Sequence, residues 1–324
     1  MPTHRIADTI TGHYPTVTLT CVDTEVDATF APTLGMIGCS LRHRGAELLG
    51  QRGGLAQYAA SGSTMGIPLL HPWANRLSGF SYAVGGRSVT LDARAPLVHR
   101  DANGLPMHGL LAAYRGWRVA ARGADDTAAR LSAVVDCGAD PALLAAFPFP
   151  HTLVLDIALC AATLTVAATL RPTADVAVPV SFGFHPYLQL PGVERAAWQL
   201  EAPVRRRLRL DARRIPTGES EPAAVESGPL GTRTFDDLFT DLDRPARFVL
   251  SGGGRRITVA FDAGYPFAQL YAPADEPLIC FEPMTAPTNA LVSTDRLRLV
   301  GPGETYRATF SIAIEAPVSP APRR

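Results

Sequence analysis

RFVLSGGGRRITVAFD, residues 247–262, sets the class of this chain. Two β-prone runs stand on either side of three consecutive glycines, which supply the backbone freedom of a tight turn, so the stretch reads as a hairpin. YAVGGRSVTLD (82–92) repeats the arrangement around a Gly-Gly pair. TVTLTCV (16–22) and TLTVAATL (163–170) alternate with the period of two expected of half-buried strands. LRLVGPGETYRATFSIAIE (297–315) reads as a closing hairpin. AELLGQRGGLAQYAA (46–60) has room for a helical turn or two, and its internal glycines argue against more. Strand signals are spread evenly, with no repeat and no low-complexity linker. The fold class is therefore all-β, a large antiparallel β-sandwich forming one domain over 1–315, although two packed halves would satisfy the same pattern. The Pro-rich APVSPAPRR (316–324) reads as a frayed tail.

At 324 residues the chain can bury a full core without disulfides. Its 30 basic and 30 acidic residues cancel, which argues against nucleic acid or an anionic membrane as partner and favours a small neutral ligand. Every basic residue is arginine. With no lysine, a Schiff-base nucleophile and a Walker-type phosphate loop are both excluded. The first residues lack the apolar stretch of a signal peptide and no apolar run has transmembrane length, so a cytoplasmic protein is expected. Five scattered cysteines without a C-x-x-C pair suggest reduced, buried thiols.

Chemistry concentrates in four short stretches. In SFGFHPYLQL (181–190), strand alternation puts Phe182, Phe184, Leu188 and Leu190 on one face and His185 and Tyr187 on the other. Gly183 leaves room beside His185, and Pro186 removes a ladder donor, which suggests a strand edge or end facing a groove. A structural histidine would satisfy the stretch equally well. LICFEPM (278–284) runs an apolar strand into Glu282, again followed by proline. A carboxylate so placed either pairs with an arginine or serves a site, because burying it alone is costly. LLHPWANRLSGF (69–80) delivers Asn75 and Arg76 on a loop, and NGLPMHGLL (103–111) holds His108 between Gly104 and Gly109.

Taken together, Asn75-Arg76, His108-Gly109, His185-Pro186-Tyr187 and Glu282 with P-T-N-A-L downstream resemble the aldose 1-epimerase (mutarotase) family, in the family's order and over about residues 70–292. TFDDLF (234–239) is a weaker fifth match, with Asp236 as a sugar-hydroxyl acceptor and Asp237 its rival. The resemblance implies a galactose mutarotase-like sandwich, a small-molecule sugar substrate and no cofactor. It makes Glu282 the base and His185 the acid of anomer interconversion, a division that suits a carboxylate ionised at neutral pH and an imidazole with an ordinary pKa of about 6.5. Arg76, His108, Asp236, Asn75 and Tyr187 would contact substrate, and Arg76 would also help to keep Glu282 ionised. Where better-known members continue the histidine motif with Phe-Asn, this chain has Leu188 and Gln189, which bears on sugar preference more than on reaction type.

Two other readings share the motifs: a hexose 6-phosphate 1-epimerase on the same fold, and a carbohydrate-binding protein without catalysis. The first would need additional arginines at the phosphate, for which RRRLRL (205–210) is a candidate, though a solvated strand face explains that run as well. No metal is expected, since H-x-H, H-E-x-x-H and Cys/His clusters are missing from the sequence. A G-x-S-x-G nucleophile elbow is missing too. The sequence leaves the oligomeric state open.

Overall fold

The computed structural model describes residues 3–315, so the segment 316–324 lies outside the described residues. Among these, strands dominate and pair antiparallel throughout the two largest sheets. Nine strands form one sheet, running from Val225–Pro229 at one edge through Ala246–Gly252, Arg255–Ala263, Tyr306–Glu315 and Thr163–Pro172 to Arg118–Ala124 at the other. The second sheet carries Val204–Leu210, Phe235–Leu242, Phe267–Ala272, Ile279–Met284, Gly183–Phe184 and Leu69–Leu70 in that order, with Pro216–Pro222 outside the first of them. A third sheet is built from the first five strands, between His4 and Glu47.

The two large sheets meet through aromatic side chains. Phe248 stacks on Phe281 with ring centres 5.3 Å apart, and Phe184 meets Phe310 at 5.0 Å. All four rings are buried in one continuous apolar cluster. Truncating any of them to alanine would cost about 3–5 kcal/mol, which makes this seam a rigid backing for whatever the outer face carries.

The glycine hairpins form as expected, with Ala246–Gly252 paired to Arg255–Ala263 and Ser81–Val84 to Arg87–Thr90. The helical turns appear as Gly54–Ser61, ended by Gly62 in the left-handed region at φ 71°. The closing hairpin does not form. Arg298–Val300 pairs instead with Val178–Val180, and Tyr306–Glu315 lies between Thr163–Pro172 and Arg255–Ala263. Alternation identifies both strands, but the choice of partner depends on long-range packing that the local pattern does not encode. The thiols of Cys21, Cys39, Cys137 and Cys280 are free and buried, whereas Cys160 is exposed. Among the described residues no helix is long and apolar enough to cross a membrane.

Candidate active site

The second large sheet turns one face to the core and the other to a cavity of about 930 Å³. SFGFHPYLQL shows how. Gly183 pairs with Met284 and Tyr187 with Cys280, so the intervening register sets His185 opposite Glu282. Phe184 and Leu188 point into the core while His185 and Tyr187 line the cavity. The stretch is interior to the sheet rather than at its edge. Pro186 interrupts the ladder, yet strands resume on both sides of it, and the other flank is covered by bonds from His185 N–H to the Pro68 carbonyl (3.2 Å) and Tyr187 N–H to the Gly66 carbonyl (2.8 Å). Gly183 is required here, since a Cβ at this position would stand 2.6 Å from the Pro283 carbonyl.

His185 Nε2 lies 3.3 Å from Glu282 Oε1, with both side chains nearly sealed from solvent. Burial, with His108 and Arg52 nearby, drives the imidazole well below its ordinary pKa. Burial, reinforced by the Asp236 charge, drives the Glu282 carboxyl well above its own, and the opposing pull of Arg76 is weaker. Burial therefore weighs against the charged form of each group. The sequence reading has Arg76 holding the carboxylate ionised; Arg76 does pull that way, and burial with the Asp236 charge outweighs it in direction. The Arg76 guanidinium is engaged elsewhere, donating from Nε to Asp101 Oδ2 at 2.7 Å and from Nη1 to Asn75 Oδ1 at 2.9 Å.

Tyr187 lies flat on His185, ring centres 4.3 Å apart and planes 8° from parallel. Its hydroxyl is 3.3 Å from His185 Nε2 but sits over the ring, away from the in-plane direction in which an imidazole nitrogen bonds, so it holds the ring by stacking. The hydroxyl is fixed in turn by Thr64 Oγ1 at 2.6 Å. Arg52 lies over the outer face of Tyr187 and is clamped to Glu276 by two bonds of 3.0 and 3.1 Å.

The polar wall comes from two loops that brace each other. His108 and Asn75 both occupy the left-handed region, at φ 63° and 57°, and His108 N–H donates to the Asn75 carbonyl at 2.8 Å. Such backbone is unfavourable for non-glycine residues and persists where the surroundings over-determine it. Gly109 makes the close approach possible, because any side chain there would strike the His71 carbonyl. The P-T-N-A-L stretch supplies the remaining brace. Asn289 N–H donates to the Arg76 carbonyl (2.9 Å), and Asn289 Oδ1 accepts from Ser78 N–H (2.7 Å). Behind the loop, His151 Nδ1–H donates to the Phe149 carbonyl (2.6 Å), so His71 Nε2–H donates to His151 Nε2 (2.8 Å). Cys137 lies within 4.8 Å of this pair, but the facing imidazole nitrogens are already joined to each other, a packing role.

All seven residues singled out in the sequence, Asn75, Arg76, His108, His185, Tyr187, Asp236 and Glu282, line the one cavity. Asp236 accepts from Gln269 Nε2 at 2.7 Å and faces Arg214 at 3.3 Å. Asp237 points away and pairs with Arg207. RRRLRL is a solvated strand face, its arginines matched to Asp243, Asp241, Glu221 and Glu219 outside the cavity. Four participants escape the sequence reading: Thr64, Arg52, Asp101 and Gln269. Of these only Gln269 left a local sign, a large polar residue inside the apolar strand FAQLYA.

The arrangement brings an acid/base pair into contact at the floor of a polar cavity. A family model for aldose 1-epimerase matches residues 39–313. Among solved structures, a galactose mutarotase-like protein from Clostridium acetobutylicum superposes with a TM-score of 0.84 at 17% identity, covering 97% of this chain and 99% of the other. A protein of Synechocystis sp. PCC 6803 gives 0.77 at 23% identity, over 96% and 100%. Galactose 1-epimerase from Lactobacillus acidophilus NCFM gives 0.75 at 14% identity, over 98% and 100%. At these identities the structures show a shared fold. No curated protein sequence is significantly similar to the chain.

Proposed function

The chain belongs to the aldose 1-epimerase family, and from that membership and the cavity we propose that it interconverts the α and β anomers of a free aldohexose. Opening the ring takes a proton from the C1 hydroxyl and gives one to the ring oxygen, while the bond between C1 and the ring oxygen breaks with its electron pair on that oxygen. Closure on the opposite face of the carbonyl reverses both transfers. The two oxygens are bonded to one carbon, so the groups serving them must stand close together. The contact of His185 with Glu282 at 3.3 Å is the observation that carries this reading. With these groups touching, C1 has to lie over the pair; the sugar does not fit between them.

Asp236, Asn75, Arg76 and His108 then offer acceptors and donors to the remaining hydroxyls, and the Arg76 charge offsets the negative charge that gathers on the ring oxygen. A protein that only bound sugar would have no use for a sealed acid and base at the cavity floor. Arg52 and Arg76 are each tied to a carboxylate, which favours an uncharged sugar. Arg100 at the rim is the one observation that favours a 6-phosphate.

Polarimetry of freshly dissolved α-glucose and α-galactose tests the proposal. The wild-type protein should equilibrate at least one of them faster than buffer, and His185→Ala should lose roughly 10²–10⁴-fold of that acceleration. Equilibration of the 6-phosphates alone would transfer the reading to the phosphorylated sugar. No acceleration with any of the four would refute it.

A further inference from the structure

Two buried oxygens lack a hydrogen-bond partner within the protein, and they belong to residues paired directly across adjacent strands: Oε2 of Glu282, which lines the cavity, and Oε1 of Gln269 beside it. The Gln269 amide has one workable orientation. Its Nε2 donates to Asp236 Oδ1 at 2.7 Å, and turning it over would set its carbonyl against that carboxylate. Oε1 is thus held on the far side of the amide from Asp236. A carboxylate oxygen and an amide oxygen are both acceptors. Neither can be satisfied by the other unless a hydrogen lies between them, and leaving both bare in a buried setting would cost about 1–3 kcal/mol apiece.

We propose that Gln269 is a positioning residue that holds Glu282 in its acid form in the unliganded protein, with the hydrogen on Glu282 Oε2 donated to Gln269 Oε1. The hydrogen bonds then run in one direction across the sheet. With the imidazole hydrogen on Nε2, it faces Glu282 Oε1 at 3.3 Å. From there Glu282 donates to Gln269, and Gln269 donates to Asp236. The charged or titratable groups around Glu282 are His185 and Tyr187 from one neighbouring strand, Cys280 on its own, Asp236 across the sheet and Arg76 from the loop. Burial and the Asp236 charge push the carboxyl upward, in the same direction as the geometry.

For anomer exchange, which rests on the function proposed above, Glu282 has to release this hydrogen, and His185 has to take one up on its ring, before the carboxylate can accept one from the C1 hydroxyl and the imidazolium can give one to the ring oxygen. Gln269 therefore sets how readily the base becomes available without touching the reacting atoms.

Infrared difference spectroscopy of the full chain separates this from a purely structural role and does not depend on turnover. At neutral pH the wild-type minus Glu282→Gln spectrum should contain the carbonyl stretch of a protonated carboxylic acid. Gln269→Leu should move that band to higher wavenumber, because the acid hydrogen loses its acceptor, and Gln269→Asn, whose amide is one methylene short, should do the same if the leucine variant does not fold. No protonated-acid band in the wild type, or a band unmoved in both variants, would overturn the proposal. If the band behaves as stated while polarimetry shows no mutarotation, the location of the hydrogen stands and the proposed function falls.

Discussion

Asp101→Asn tests the polar wall without replacing any group proposed to meet the sugar's reacting atoms. Asp101 uses its oxygens separately. Oδ1 accepts from the N–H groups of Asn103 and Leu105, each at 2.9 Å, and so builds its own turn, while Oδ2 accepts from Arg76 Nε at 2.7 Å. Asparagine keeps the first oxygen and replaces the second with an NH₂, so a donor meets a donor and only the lock on Arg76 is lost. The side chains of Arg76 and Asp101 are 14% and 4% exposed, so solvent screens the bond little. A charge-assisted bond in that setting is worth about 1.5–3 kcal/mol. At about 1.4 kcal/mol per decade this corresponds to a roughly 10- to 150-fold fall in kcat/KM as Arg76 loses its aim. Polarimetric initial rates over a range of sugar concentrations, beside a thermal melt showing an intact fold, provide the assay. A kcat/KM within twofold of wild type, in a folded protein, would show that the aim of Arg76 contributes nothing and refute the reasoning.

Two further outcomes follow from the same side chains. His71, His108, His151 and His185 all have pKa values lowered by burial, to about 3 for His108 and about 4 for His151, so each contributes stability above its unfolded pKa that is lost as pH falls toward the folded one. Glu282, shifted upward, opposes them, and the histidines outnumber it, so unfolding takes up protons and stability falls as pH drops below the ordinary histidine range, by about 1.4 kcal/mol per pH unit for each net proton. An acid titration followed by tryptophan fluorescence should show cooperative unfolding with net proton uptake, and no uptake or a net release would contradict it. Gly183→Ala should cost about 1–3 kcal/mol, since the new methyl meets the Pro283 carbonyl, and should depress activity because the pair that shifts adjoins His185 and Glu282. A melting temperature equal to wild type would show that the strands yield freely there.

Much of this was legible in the chain because it was local. Alternation assigns Phe184 to the core and His185 to the cavity from their spacing alone, and the glycines of 252–254 announce their hairpin. What stayed hidden depends on register between distant strands. Gln269 matters because it stands beside Glu282 and diagonal to Asp236, and nothing near residue 269 says so. Asp101 reads as an ordinary turn aspartate, which it also is, and its second bond reaches 25 residues back to Arg76. The directions of the pKa shifts stay hidden for a related reason. Ordinary pKa values describe side chains in water, whereas Glu282 and His185 sit where water is nearly excluded.

The floor of the cavity is sheet and its rim is loop. Glu282 and Gln269 are anchored on strands, and His185 between two short ones, backed by a packed seam of phenylalanines, while Ser63, His99 and Arg100 ring the mouth on connecting segments. Evolution can therefore retune which molecule is admitted by rewriting a few connecting residues, with the residues of the sheet floor left as they are. A designer seeking a different sugar preference should leave the pleated base alone and vary the entrance.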